Sequence, residues 1–287
     1  RIISLIAKKR TGKEKRVTIV IGGGGPAGVE LAAELSKFCE HACARYNLQE
    51  KDFEIILAQA APRLLPGLHP SISEGARDRL ERFGVKVLLD TCIQDIRKNE
   101  VTIAPRPLRE GETVEKLLCS FGKDKQRVLE ADVMVWSGGV RATSFMKQSG
   151  FMVDAKGRVD VHDTLEVKGE TRTFALGDCS VLIDPTTKQP LPGLAQVAIY
   201  QGKVVARNIV RSISGLTLTH YRYPFLASVI PAGGKYAFAQ FGSVRIRGFL
   251  AYFLYRFVDF KYFLSILPLG YAWKVWWAGW RAYSRND

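Results

Sequence analysis

Residues 17–35 read VTIVIGGGGPAGVELAAEL. Val17 to Ile21 form a run rich in β-branched side chains, as in a parallel strand buried on both faces. A glycine turn follows. Residues 27–45 then carry helical periodicity through Val29, Leu31, Ala32, Leu35 and Phe38. The turn holds Gly23, Gly25 and Gly28 in the order GxGxxG, a weak pattern alone but a mechanistic one between a strand and a helix. Gly23 allows the tight turn. Gly25, lacking a Cβ, lets the backbone approach a pyrophosphate. Gly28 lets the helix pack close to the strand. The helix N-terminus offers N–H groups and a positive dipole end to the phosphates.

Working outward, FEIILA (53–58) predicts a second strand, residues 71–83 a helix with Ser71 as N-cap, and VKVLL (85–89) a third strand. This βαβαβ unit is the building block of a doubly wound, Rossmann-type α/β fold. Short β-like runs at 92–97, 100–104, 115–121 and 127–130 predict an antiparallel ribbon, and DVMVW (132–136) returns as a strand ending at Gly138-Gly139. RTFALGD (172–178) predicts a strand running into Gly177-Asp178. Residues 194–213 predict a helix, and from 217 the chain is β-like up to an aromatic tail.

A carboxylate commonly follows the second strand of such a unit and binds the adenosine ribose 2′-OH. Gln59 stands at that place, with Arg63 four residues on. A neutral amide does not repel a 2′-phosphate and an arginine pairs with one, so NADPH is expected alongside or instead of NADH.

Composition narrows the partners. The 287 residues carry 42 Lys and Arg against 28 Asp and Glu, a net charge of +14 that calls for an anionic partner. The basic run KKRTGKEKR (8–16) is short, abuts the first strand and reads as a solvated linker rather than a nucleic-acid arm. The five cysteines are scattered without a CxxC. Cys39 and Cys43 fall one helical turn apart, but a zinc site needs about four ligands, so no metal is expected. The opening residues do not read as a signal peptide, and with no stretch of about 18 apolar residues free of charge no spanning helix is expected. The opening RIISLIAKK lacks an initiator Met and reads as the interior of a longer protein.

The tail holds four of the five tryptophans within eight positions. At about 100° per residue, Trp273, Trp276, Trp277 and Trp280 fall in one arc, with Lys274, Arg281 and Arg285 on a neighbouring edge. Tryptophan favours the membrane interface and flanking cations attract anionic headgroups. The apolar segment 249–263, interrupted by Arg256, Asp259 and Lys261, reads as an in-plane helix rather than a spanning one. A dimer interface or a core helix is the competing reading.

The pairing of a GxGxxG unit with a later FALGD (174–178) resembles the two-dinucleotide-binding-domain flavoproteins, and VWSGGVRA (135–142) resembles their strand returning toward the flavin domain. GLAQVAIYQG (193–202) narrows the match. It looks like the AQxAxQQG stretch of type II NAD(P)H:quinone oxidoreductases, whose C-terminal anchor the aromatic tail also resembles. The resemblance implies FAD held through its ribityl chain by Asp178 beside Gly177, with Gly139 among the cofactor contacts. It implies Glu30 near the nicotinamide, Ala195 and Gln196 beside the isoalloxazine, and Gln196 with Tyr200 at the quinone. Tyr200 replaces the first Gln of the family pair. Glu30 and Gln196 would be the catalytic pair. Read independently, Glu30 also suits a helix first turn, Asp178 a turn and Gln196 a helix surface.

The resulting organisation is a linker (1–15), an NAD(P)H-binding Rossmann-like domain (16–145), the C-terminal part of an FAD-binding domain (146–215), and a β-like segment with the anchoring tail (216–287). The family's N-terminal FAD-binding βαβ unit is missing from the sequence. The expected protein is a peripheral membrane flavoprotein that passes hydride from NAD(P)H to FAD and two electrons to a membrane quinone, without proton pumping. Its expected partners are quinone, a bilayer surface, a second copy of itself and no nucleic acid. A soluble pyridine-nucleotide reductase and a non-catalytic NAD(P)H-binding membrane module are the alternatives.

Overall fold

The computed structural model describes residues 2–10, 16–107, 126–185, 188–222 and 227–284. The glycine-turn region is built as its sequence requires. Strand β1 (Val17–Gly22) pairs in parallel with β2 (Phe53–Ala58), and helix α2 (Pro26–Tyr46) connects them. Helix α3 (Pro70–Arg82) leads to β3 (Lys86–Leu88), parallel to β2. The sheet order is β3-β2-β1-β7, with β7 (Val133–Trp136) parallel to β1 on its other side. The strand order therefore reverses beside β1. In open α/β sheets the ligand crevice opens at such a switch point, outside the strands' carboxyl ends.

Burial explains the uninterrupted apolar strands. Val17, Ile19, Val20 and Ile21 are fully buried because both sheet faces are covered. One face packs on α2 through Val29, Ala32 and Ala33. The other meets an antiparallel ribbon of β4 (Thr91–Arg97), β5 (Glu100–Pro105) and β6 (Arg127–Glu130), which buries Val101 and Ile103 against Val20 and Ile56. The expected run at 115–121 lies outside the described residues. Phe38, the last apolar residue of the periodicity read over α2, is 39% exposed.

Three local expectations change. Residues 2–10, assigned to a linker, are helix α1 (Ile2–Arg10), and its Leu5 and Ile6 are buried in the sheet's core. The N-cap of α3 is His69 rather than Ser71, its Nδ1 accepting from Ser71 N at 3.2 Å. Pro70 fixes the first helical position, so the cap falls one residue before it. The stretch 172–178 is no strand. Phe174 makes one isolated bridge to Glu166, and Gly177–Cys179 is a 3₁₀ turn.

The chain divides into two compact units. One holds the residues up to Gly138 together with those described from Ala227 on; the other begins at Gly139. The tail is thus part of the dinucleotide-type unit rather than a separate appendage. Strands β10 (Ala227–Pro231), β11 (Ala237–Phe241) and β12 (Val244–Gly248) form an antiparallel sheet whose Ile230, Ala232 and Phe238 join the same core as Ile19 and Leu57. Arg79 on α3 pins it, donating to Ala232 O at 2.6 Å and Gly233 O at 2.8 Å while lying over the Tyr236 ring.

The second unit contains the short helix α4 (Phe145–Gln148), the parallel pair β8 (Val159–Asp160) and β9 (Ser180–Val181), and helix α5 (Ala195–Ile213). Its core gathers Val159, Val161, Leu165, Leu182 and Val205. The chain ends in helices α6 (Phe249–Ile266) and α7 (Leu269–Ser284), which belong to the first unit.

Candidate functional site

Each glycine of the loop has its own geometric reason. Gly23 sits at φ +109°, and a Cβ there would lie 2.6 Å from Gly138 N. A Cβ on Gly28 would lie 1.8 Å from Gly23 O, so α2 approaches β1 as closely as a glycine allows. A Cβ on Gly25 would meet nothing within 4 Å. Open space at the one position that must admit a pyrophosphate, and backbone crowding at the other two, fit a dinucleotide cradle. Gly25 is also the N-cap of α2, with no side-chain cap, and Pro26 follows it. The helix end therefore presents N–H groups outward.

Two side chains hold this loop. Ser137, just past β7, has its Oγ within donating distance of Gly22 O (3.0 Å) and Gly23 O (2.9 Å). It lay inside the quoted VWSGG without a role. Gln59 is the second. Its amide is buried, 8% exposed, and turns into the loop rather than outward. Oε1 accepts from Gly24 N at 2.9 Å and Nε2 donates to Arg63 O at 3.3 Å. Arg63 is half-buried and donates to Pro66 O at 2.7 Å. The position read from sequence as a ribose contact thus braces the glycine loop.

Glu30 lies past the first turn of α2, which contains no acidic residue, so the helix-start reading does not hold. It is half-buried. Burial first, then the carboxylates of Glu34 and Asp259, holds its carboxyl above the ordinary range. Asp259, on α6, is also raised by burial, against the opposing pull of Arg256.

In the second unit the expected flavin residues gather at one corner. Gly177 sits at φ +65° and its N donates to Gln201 Oε1 at 2.7 Å. Gln201 is 2% exposed; it is the second residue of the Tyr200-Gln201 pair and had no role in the sequence reading. Asp178 is exposed, and a Cβ on Gly193 would come within 2.8 Å of its Oδ1. A Cβ on Gly177 would touch Ala198 Cβ at 3.3 Å, which places this corner on the first turn of α5 beside Ala195 (exposed) and Gln196 (half-buried). An exposed carboxylate among glycines suits a polyol, whose hydroxyls donate to it, and a helix N-terminus without a side-chain cap lies beside it. Tyr200 is 37% exposed with Lys203 over its ring. Gly139 opens the unit at φ +109°, its Cβ direction open.

The tryptophan arc divides. Trp276 and Trp280 face α6. Trp276 Nε1 donates to Arg256 O at 2.6 Å, and Trp280 lies 5.9 Å from the Tyr252 ring. Trp273 and Trp277 are 51% and 41% exposed. The cause is Arg256. This 3%-exposed cation needs acceptors and finds Asp259 Oδ2 at 2.8 Å and Trp276 O at 2.6 Å. Closing that contact draws one edge of the arc inward. Lys274 and Arg281 remain exposed, over the rings of Tyr271 and Trp277. Arg285 lies outside the described residues. The larger apolar exposure is on α6: Phe249, Leu250, Phe253, Phe257 and Leu264 are exposed and share an arc of roughly 100°, and Val258, Tyr262 and Ile266 are exposed outside it. Among the described residues no helix is long and apolar enough to cross a membrane, and no three His, Cys, Asp or Glu side chains converge as a metal site.

A glycine-looped βαβαβ unit and a second unit with a Gly-Asp corner are the parts of a pyridine-nucleotide oxidoreductase fold. The chain belongs to the pyridine nucleotide-disulphide oxidoreductase family, whose model matches residues 5–202. Its relatives include the type II NADH:quinone oxidoreductase of Staphylococcus saprophyticus, 28% identical over 268 residues, 93% of this chain and 62% of that protein. The enzyme of the same name from Staphylococcus aureus strain NCTC 8325 is 30% identical over 258 residues, 90% of this chain and 60% of the relative. The chain thus spans about three fifths of the length of these relatives. The fold matches NDH2 from Plasmodium falciparum in complex with NADH at a TM-score of 0.76 and 15% identity, over 99% of this chain and 70% of the other. It matches an NAD-dependent persulfide reductase from A. fulgidus at 0.55 and 19%, over 83% and 37%.

Proposed function

We propose that the protein is a peripheral membrane flavoprotein that oxidises NAD(P)H and reduces a membrane quinone by two electrons. The observation that carries the reading is the contrast within the glycine loop: Gly25 open, Gly23 and Gly28 closed. The names of the relatives, type II NADH:quinone oxidoreductases, supply the reaction class.

In this reading the Gly25 backbone and the α2 N-terminus bind the pyrophosphate of NAD(P)H. Ser137 and Gln59 keep the loop in shape. Glu30 lies beside the nicotinamide and holds or releases a proton at its carboxyl. Asp178 orients a ribityl chain, with Gly177 fixed by Gln201, and Ala195 and Gln196 at the α5 N-terminus lie beside the isoalloxazine. Gln196 and Tyr200 line the quinone end. FAD, when bound, supplies the chemistry of taking a hydride and giving up two electrons. NADPH is accepted with NADH because position 59 carries no negative charge and Arg63 is close by.

The outward face of α6, with Trp273, Trp277, Lys274 and Arg281 of α7, docks on an anionic bilayer. Each large apolar side chain leaving water contributes about 1.5–3 kcal/mol, so a few suffice for stable retention. Long-tailed quinones reside in lipid, and docking gives the enzyme access to them. The test is NADH and NADPH oxidation by the flavin-loaded protein with a quinone acceptor. Turnover that depends on quinone is expected; failure with every quinone tried overturns the reading.

A further inference from the structure

Cys39 and Cys43 stand one turn apart on α2, both buried, 5% and 8% exposed, and both free. Both line a cleft of about 440 Å³ whose walls combine Phe53, Ile55 and Phe83 with the charged Lys37, Glu50, Glu81 and Arg82. None of the lining residues belongs to the glycine loop, so the cleft is separate from the dinucleotide site. Both thiols face this one cleft. Burial, then Cys43, pushes Cys39 up to about 12, and burial with Asp52 and Glu50 raises Cys43. At neutral pH the pair is a neutral dithiol.

Three magnitudes restrict what this dithiol can hold. Residues four apart on a helix have Cβ atoms about 5–6 Å apart, whereas a disulfide needs about 3.5–4.5 Å. A direct S–S bond would therefore distort α2, while an atom inserted between the sulfurs fits. Zinc wants about four ligands, and no three candidate ligands converge among the described residues. The burial that keeps the thiols protonated also disfavours a charged product. The remaining class is a thiophilic centre that binds two sulfurs and leaves them neutral. Within a lining that is otherwise mostly charged, Phe53, Ile55 and Phe83 offer the apolar contact for an organic substituent on that centre.

We propose that Cys39 and Cys43 form a bidentate site for a trivalent organoarsenical. With phenylarsine oxide two As–S bonds form and the As–O bond breaks. The oxygen leaves as one water carrying both thiol protons. Arsenic stays trivalent and nothing is oxidised or reduced.

The experiment is intact-mass and peptide analysis of the full protein treated with one equivalent of phenylarsine oxide. The expected product is a 1:1 adduct that survives a monothiol and is removed by 2,3-dimercaptopropanol. Cleavage after Lys37 and Arg45 releases both cysteines on one peptide, Phe38–Arg45, and the arsenic is expected there. Cys39→Ser and Cys43→Ser should each lose monothiol resistance; Cys92→Ser and Cys179→Ser should keep it. Arsenic on a peptide carrying Cys92, Cys119 or Cys179, or removal from the wild type by a monothiol, overturns the proposal. The peptide location is read on the wild type, so a variant that fails to fold does not blunt the test.

Discussion

Gln59 Oε1 accepts a hydrogen bond from Gly24 N at 2.9 Å, with the amide buried. One side chain therefore shapes the phosphate loop from the position that usually selects the ribose. Gln59→Glu can still accept from Gly24 N, loses the donation to Arg63 O, and brings a negative charge to the end of β2, near the place a 2′-phosphate would take. The KM for NADPH should rise at least about tenfold, or about 1.4 kcal/mol, with the NADH value within about threefold. Parallel steady-state kinetics with the two cofactors decide it.

The glycines separate fold from binding. Gly25→Ala has room for its methyl, so thermal stability should stay within about 2 °C while NADH affinity falls at least about tenfold, as the methyl meets the phosphate. Gly28→Ala has no room, with Gly23 O 1.8 Å from the new carbon, so both stability and binding should fall. Calorimetry and NADH titration on the same two variants separate these outcomes.

Glu30 gives a pH-dependent prediction. Its folded-state pKa lies above the ordinary 4.5, raised by burial and then by Glu34 and Asp259. A carboxyl that is harder to ionise when folded costs stability as pH rises from 4.5 through the raised value, and costs nothing well below 4.5. Glu30→Gln should therefore melt higher than wild type at pH 7, and the gain should vanish toward pH 3.5. A gain that is the same at both pH values would contradict the burial assignment.

Arg256 joins the two tail helices. Arg256→Met leaves Asp259 half-buried without its cation and removes the side-chain bond from α6 to Trp276 O. Removing one partner of a fully buried pair costs about 3–5 kcal/mol, and the partial exposure of Asp259 reduces this to about 2–3. The melting temperature should drop, and hydrogen exchange over 249–284 should accelerate. Unchanged exchange there would show that the pair does not hold the hairpin.

Much of this was legible in the sequence. Strand β2 falls on residues 53–58 as expected, and α2 lies within a residue of its predicted ends, because strand runs and glycine turns are local signals. What was hidden depends on partners distant in the chain. Residues 172–178 are apolar enough for a strand, yet only Phe174 finds a bridging neighbour. Helical periodicity put four tryptophans in one arc, but the buried charge of Arg256, 20 residues earlier, claims Trp276. The inward turn of Gln59 depends on an N–H 35 residues away. The basic residues at 8–10 obscured the two apolar side chains, Leu5 and Ile6, that seat α1 in the core.

The central claim is that a dinucleotide-binding body docks on lipid through α6 and α7 to reach its acceptor. The most direct measurement is NADH oxidation by flavin-loaded Phe253→Glu/Phe257→Glu protein, assayed with a long-tailed quinone in anionic liposomes and with a water-soluble quinone. Both phenylalanines are exposed, 47% and 57%, so the fold should persist. At least a tenfold loss is expected with the lipid-borne quinone, and near wild-type rates with the soluble one. Equal activity of variant and wild type on liposomes would contradict it.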